Sequence, residues 1–365
     1  MKSRAVVAVE PGVLEMREYP LPDIGERDGL LKVELAGVCG SDPSIWRNKT
    51  QRGHRPYPIM LGHEVVGRIE KLGAAAAADK GLAEGDRVIV EYAFGCGRCR
   101  PCLAGRYTLC RKHYVYGSMV SCAEPPHLYG AYGDYMYLNE RAMIHKVGED
   151  LPAEVAVLIC AVLGNAVRWL RQVGGASVGQ PVAIVGPGQQ GLAAVIVAKE
   201  AGCDPIMVVG LDQDKERLAM AERFGADLAI NASHCDPVEE VSKATGGDMA
   251  SLVLDVSGHP AGAGVALSLC GLGGAMVLPG LYGASAVAPW ILDRIVFNEI
   301  TLKGVFSHDG NAVRPAIKLA QKGKYPLQDL ISHRFGLEEA EKALRLVAGE
   351  NPDDIPMKVV LDPKL

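Results

Sequence analysis

The stretch that most restricts how this chain can fold is VAIVGPGQQGLAAVIVAKEAG, residues 182–202, in which an apolar run meets Gly186, Gly188 and Gly191 and then continues as a helical pattern. A strand that turns over glycines into a helix opens a βαβ unit. The glycines permit the tight turn, the approach of backbone to a pyrophosphate and close helix–strand packing, while the helix N-terminus attracts negative charge. Glycine-rich turns are common, so the motif gains weight only from its surroundings. The next β-type run, IMVVGLD, ends at Asp212, and 212 − 191 = 21 residues is the spacing at which a carboxylate accepts bonds from the adenosine ribose hydroxyls. Asp212 also precedes the helical stretch KERLAMAERFG and could cap it, and the two roles are compatible. A carboxylate there repels a 2′-phosphate, which predicts NAD over NADP, with Lys215 and Arg217 nearby as the counterargument.

The rest of the 365 residues falls into two textures. From about 151, apolar runs (PVAIVG, IMVVGLD, LAIN, SLVLDVSG, AMVLPG, ITLKGVF) alternate with helical stretches, which predicts a parallel doubly wound sheet. Before that, short β-type runs (AVVAVE, LLKVELAGV, EVVGRIEKLG, DRVIVEYAFG, YGDYMYL) punctuated by Gly, Pro and Asp predict an irregular, mostly antiparallel β-domain. The tail after about 306 has two amphipathic helical patterns and a last strand, MKVVLD, expected to pack back on the first domain. AAAAA at 74–78 reads as a small loop or short helix.

Ten cysteines carry the next step. Cys96, Cys99, Cys102 and Cys110 stand in GCGRCRPCLAGRYTLC, close enough to wrap one tetrahedral Zn²⁺. An iron–sulfur cluster or four unrelated buried thiols are the alternatives, the spacing to the fourth cysteine being less usual for the cluster. A closed four-thiolate site has no open position and would hold a lobe together. Cys39 in GVCGSD and His63-Glu64 in LGHEVVG offer a second donor set, which with one further ligand would leave a position for water or substrate. Taken alone, that trio reads equally as packed or solvated side chains. With 38 Lys and Arg against 43 Asp and Glu, the net charge of −5 offers no field for nucleic acid or an anionic membrane. The N-terminus has no export signal, and the apolar stretch from Val155 to Val167 is interrupted by Gly, Asn and Arg, so the expectation is a cytoplasmic protein with no membrane and no nucleic-acid partner.

GVCGSD, LGHEVVG, GDRV, the four-cysteine run, GAYGDYMYL, GPGQQG and the Asp212 turn together resemble, in order and spacing, the zinc-dependent medium-chain alcohol dehydrogenases, and the resemblance covers essentially the whole chain. It implies an α/β protein: a GroES-like β-rich catalytic domain (1–160 and 306–365, with a structural zinc lobe near 95–111) around an inserted Rossmann domain (161–305). It further implies two Zn²⁺ per chain, NAD, a homodimer or homotetramer, and a small alcohol or carbonyl compound as substrate. Cys39 and His63 would be catalytic zinc ligands, with Glu64 as an alternative or transient one. Asp42 would orient His63, and Ser41 would accept the alcohol proton.

Two positions depart from the family pattern. The last metal ligand corresponds to Cys160 only if the loop shifts by one residue, since an ungapped match anchored on GNAV points to Ala161. Ser44 stands where many members carry a relay histidine. Cys122, Cys203, Cys235 and Cys270 lack ligand spacing, and His54, His113 and His127 match no ligand position. Trp46 and Tyr92 could wall the substrate pocket or belong to the core, and 113–130 reads as a loop that shapes specificity. The expected activity is NAD-dependent interconversion of an alcohol and an aldehyde or ketone in an interdomain cleft. The rivals are a regulatory protein that has lost turnover and a zinc-free alkene or quinone reductase.

Overall fold

The apolar runs of the N-terminal half become short antiparallel strands. The computed structural model of the protein describes residues 1–49, 55–112, 114–283, 285–288 and 290–365; His54 and His113 lie outside them. Two compact units emerge, Met1–Ala161 with Ile317–Leu365, and Val162–Ala316.

In the first unit, Lys2–Glu10 is the middle strand of a three-stranded sheet, flanked by Val13–Pro20 and Ile59–Met60. A second sheet runs in the order Ile144–Lys146, Arg87–Val90, Glu64–Leu72, Gly29–Val38, Lys358–Leu361, Ile331–Phe335, with Tyr135–Leu138 also paired to Gly29–Val38. Leu30, Leu31, Val33, Leu35, Ala36 and Val38 are all buried, because Gly29–Val38 is covered on both faces. The C-terminal strand returns beside it: Val359 pairs with Val38, and Gly37 pairs with Glu64 on its other flank. This register brings Glu64 and Lys358, 294 residues apart, into a fully buried ion pair, and Lys358 Nζ also donates to Val38 O at 3.1 Å. The strand Ile331–Phe335 had no apolar signature, since at this sheet edge ISHRF buries only Phe335.

The second unit is a six-stranded parallel sheet ordered Leu228–Asn231, Ile206–Gly210, Val182–Val185, Ala250–Asp255, Cys270–Leu278, Thr301–Gly304, the Rossmann order. Helices Gln189–Ala201, Lys215–Arg223, Pro237–Ala244 and Pro260–Leu269 make the crossovers. Cys270–Leu278 starts earlier than the apolar run AMVL suggests: it begins at Cys270 and passes Gly273 at φ +67°, with an irregular register against Ala250–Asp255. Residues 307–309 belong with this unit, because Ser307 O accepts from Trp169 Nε1 at 3.1 Å, His308 Nδ1 meets Asn165 Oδ1 at 3.1 Å and Asp309 pairs with Arg168.

The alanine run forms the helix Ala74–Lys80. A larger difference from expectation lies in the stretch after Pro152. Its Gly and Asn do not interrupt it: Ala153–Gly174 is helical throughout and is apolar and long enough to cross a membrane, but 83% of that window is buried inside the protein. It includes π-helical turns at Ile159–Gly164 and Val167–Gly174. A π turn accommodates one more residue than an α turn.

Breaking the Lys358–Glu64 pair from one side strands a buried charge. Lys358→Ala is therefore expected to cost about 3–5 kcal/mol, read as a lower urea midpoint in metal-free buffer, whereas Lys358→Met with Glu64→Met recovers most of the loss. A midpoint for Lys358→Ala equal to that of the unmodified protein contradicts this.

Candidate active site

The four-cysteine run folds as a small lobe: the helical turn Arg100–Leu103 starts after Cys99, and a 3-10 turn, Tyr107–Leu109, delivers Cys110. The Sγ atoms of Cys96, Cys99, Cys102 and Cys110 all lie within 4.8 Å of one another, with Cys99 to Cys102 at 3.4 Å and Cys99 to Cys110 at 3.9 Å. Thiolates about 2.3 Å from a common centre are separated by roughly 3.8 Å along each tetrahedral edge, so the donors fit one zinc ion. Backbone amides of Arg98 and Cys99 hold the Cys96 thiol down to about 6, while burial and then Cys99 push Cys102 up to about 12. All ten cysteines are free.

The second donor set is built at the sheet end where Gly29–Val38 meets Glu64–Leu72. Cys39, His63 and Glu64 each place a ligand atom within 4.8 Å of the others. Asp42, at the start of the helical turn Asp42–Trp46 and wholly buried, organises them. Its Oδ2 accepts from Cys39 N at 2.8 Å and from Tyr132 OH at 2.6 Å, and its Oδ1 faces His63 Nδ1 at 3.2 Å. Burial disfavours the Asp42 anion, but His63, Tyr132 and the Cys39 amide together hold it below the usual carboxylate range. Burial likewise opposes charge on His63, yet Asp42 holds its imidazole well above the ordinary value. With Nδ1 turned toward this carboxylate, Nε2 is left for a ligand. Ser41 Oγ donates to Cys39 Sγ at 3.2 Å. Glu64 Oε2 accepts from Lys358 Nζ, and its buried Oε1 has no partner among the described residues. An orphaned carboxylate oxygen beside a cysteine and a histidine is a donor set that suits a divalent cation.

Cys160 is not in this group. It is buried, and burial together with the Glu91 and Glu64 carboxylates pushes its thiol well up. Ser44 lies in the turn Asp42–Trp46. Trp46 is core, 1% exposed with the Arg47 and Arg345 guanidinium groups over its ring, whereas Tyr92 meets the His63 ring edge-on at 6.3 Å. In the described part of 113–130, Cys122 and Leu128 are fully buried against Ala5, Val7 and Met60, and His127 stacks on Tyr19 at 4.7 Å. Cys203 and Cys270 are buried, and Cys235 is exposed. Sequence reasoning missed Tyr132 and Lys358. The first stood in the quoted run GAYGDYMYL, and the second was legible only as a lysine opening an apolar strand.

In the second unit the glycine turn has the shape a pyrophosphate needs. Gly186 has φ +101°, and a Cβ on Gly191 would strike Gly186 O, while nothing lies within 4 Å of where a Cβ on Gly188 would stand. Gly188 precedes the first turn of Gln189–Ala201, so open space faces that helix N-terminus. Asp212 is exposed, and its Oδ1 meets Asn231 Nδ2 at 2.8 Å and His234 Nε2 at 2.6 Å. Asp214, not Asp212, bonds the backbone before the following helix, accepting from Leu211 N at 3.1 Å, and it pairs with Arg217 at 2.9 Å.

Two family models match the chain: the alcohol dehydrogenase GroES-like domain over residues 25–152 and the zinc-binding dehydrogenase model over 191–322. A probable alcohol dehydrogenase of Mycobacterium tuberculosis is 38% identical, with 99% of this chain and 98% of the relative aligned. The chain belongs to the zinc-binding alcohol dehydrogenase family. This dehydrogenase superimposes on an alcohol dehydrogenase from Thermotoga maritima with a TM-score of 0.89 at 28% identity, covering 99% of both chains. A putative zinc-binding dehydrogenase from Sinorhizobium meliloti, bound to NADP, gives 0.88 at 25% identity with 100% of both covered. The enzyme is an alcohol/carbonyl oxidoreductase with a small-molecule substrate.

Tyr132→Phe removes a donor from a buried charged carboxylate and is expected to cost about 1.5–3 kcal/mol. Tyr135→Phe, whose hydroxyl makes a long contact to Met1 Sδ at 3.7 Å, serves as the control and is expected to stay close to the unmodified protein. Equal midpoints for the two variants in chemical denaturation contradict the assignment.

Proposed function

We propose that this alcohol dehydrogenase uses two Zn²⁺ per chain and NAD(H), with the first ion closed in by Cys96, Cys99, Cys102 and Cys110 and the second held at Cys39, His63 and Glu64. The observation that carries the reading is the second trio, gathered within 4.8 Å around an orphaned carboxylate oxygen with Asp42 behind its histidine. When bound, the metal there supplies Lewis acidity and the nicotinamide accepts or donates hydride. The chain's own residues do the rest. Asp42 fixes His63 so that Nε2 faces the ligand, and Tyr132 and the Cys39 amide keep that carboxylate in place. Ser41, beside Cys39, is the proposed proton acceptor for the alcohol, and with Ser44 in place of a histidine the relay continues to solvent without an imidazole. Cys160 is a proposed ligand only after a shift of its π-helical turn.

The NAD preference rests on the Asp212 carboxylate and on Arg217, which is engaged by Asp214 and is not set aside for a 2′-phosphate. Gly186, Gly188 and Gly191 would seat the pyrophosphate. The ten free thiols are in keeping with a reducing, cytoplasmic setting. Purified enzyme is expected to contain about two zinc ions per chain, to show a higher kcat/KM with NAD⁺ than with NADP⁺ on an alcohol panel, and to lose turnover in Cys39→Ala while still binding NADH. Unchanged activity in Cys39→Ala contradicts the assignment, and turnover with alkenes or quinones alone points to the zinc-free reductase reading.

A homo-oligomer is supported by the second unit's sheet edge. Thr301–Gly304 is an outer strand, and Leu281, Ile291, Leu292, Val296 and Phe297 shortly before it are 67% to 80% exposed. Such exposure of large apolar side chains marks an association surface. Val296→Asp with Phe297→Asp is expected to yield monomers in sedimentation analysis. An unaltered sedimentation coefficient rules this face out.

A further inference from the structure

The link between the two cysteine-containing sites is the segment Glu91–Gly95, which lies between the strand Arg87–Val90 and Cys96. Glu91 is fully buried, and both of its oxygens are taken: Oε1 by His145 Nε2 at 2.7 Å and Oε2 by Tyr107 OH. Tyr107 belongs to the lobe, three residues before Cys110. The lobe sits directly on the segment, since a Cβ on Gly95 would come within 2.7 Å of Cys102 Sγ and 2.8 Å of Tyr107 Cβ. Tyr92, the neighbour of Glu91, lies against the His63 ring, and its carbonyl accepts from Tyr116 N at 2.9 Å.

Resting on the metal assignments above, we infer that Glu91 is a positioning residue through which the four-cysteine lobe sets the order of the Cys39–His63–Glu64 site, with Tyr107 as the lobe's handle on it. The lobe therefore has a second task beyond holding its own loop. Metal in the lobe fixes the 102–110 turn, the turn fixes Tyr107, and Tyr107 with His145 pins a buried anion that has nowhere else to bond. Held there, the segment keeps Tyr92 packed on His63. Glu91 also stands next to Cys160, whose thiol burial and this carboxylate push up. Emptying the lobe frees the handle, leaves one oxygen of a buried carboxylate unpaired and loosens the packing behind His63. No catalytic contact is involved, so the effect is read in metal retention rather than in a missing chemical group.

Zinc release to the chelator 4-(2-pyridylazo)resorcinol tests this in the unmodified enzyme, Tyr107→Phe, Cys102→Ser and the double variant, the phase absent in Cys39→Ala being assigned to the Cys39 site. Each single variant is expected to speed that phase by about tenfold or more, and the double variant no further than either, since both act through one contact. A Cys39-dependent phase unchanged in either single variant, or effects that multiply in the double, overturns the inference. Absence of that phase from the unmodified enzyme overturns instead the metal reading beneath it.

Discussion

One buried carboxylate organises the catalytic half of this molecule. Asp42 is taken wholly out of water and survives as an anion because three groups meet it: the Cys39 amide of its own turn and, from further along the chain, the Tyr132 hydroxyl and the His63 ring. A buried charge is tolerable only when its hydrogen-bonding capacity is filled. The same contacts that satisfy Asp42 fix the loop carrying Cys39 and the tautomer of His63. Folding energy and the arrangement of the Cys39 and His63 donors are thus one requirement. The neighbouring Lys358–Glu64 pair repeats the logic with an added consequence: the C-terminal strand must return beside Gly29–Val38 before Glu64 is neutralised, so the site is completed by residues from both ends of the sequence.

The two donor sets divide the metal chemistry by their surroundings. The four-cysteine lobe surrounds its centre with sulfur on every side and leaves no position for a substrate. Around Cys39, His63 and Glu64 the donors are mixed and fewer, and what supports them is a layer of hydrogen bonds, as metal sites require. In the other unit, the glycine turn contributes little more than backbone and empty space, and Asp212 is an exposed carboxylate after the next strand.

Patterns local in sequence were legible. The alternation of apolar runs with helical stretches foretold the parallel sheet, and GPGQQG foretold the strand–turn–helix that opens it, because both are set by neighbours within a few turns. The close cysteine spacing was readable for the same reason. The groups that satisfy the buried charges were not. Tyr132, Lys358, Glu91 and His145 acquire their meaning only from register across strands, and no spacing in the chain announces that residue 358 will lie against residue 64. Interruptions inferred from single residues were also misleading: Gly164 and Asn165 sit inside a continuous helix that packing sustains. The tyrosine-rich segment after 113 reads as a loop by composition, and what composition does not show is that Cys122 and Leu128 anchor it in the core.

The central claim is that Asp42 and its partners hold an open metal position distinct from the closed cysteine lobe. Anomalous diffraction from crystals of the zinc-loaded enzyme, recorded on both sides of the zinc absorption edge, tests it most directly. The account predicts two peaks in each chain, one amid Cys96, Cys99, Cys102 and Cys110 and one bounded by Cys39, His63 and Glu64. A single peak in the lobe, with Cys39 and His63 free of metal, would contradict it.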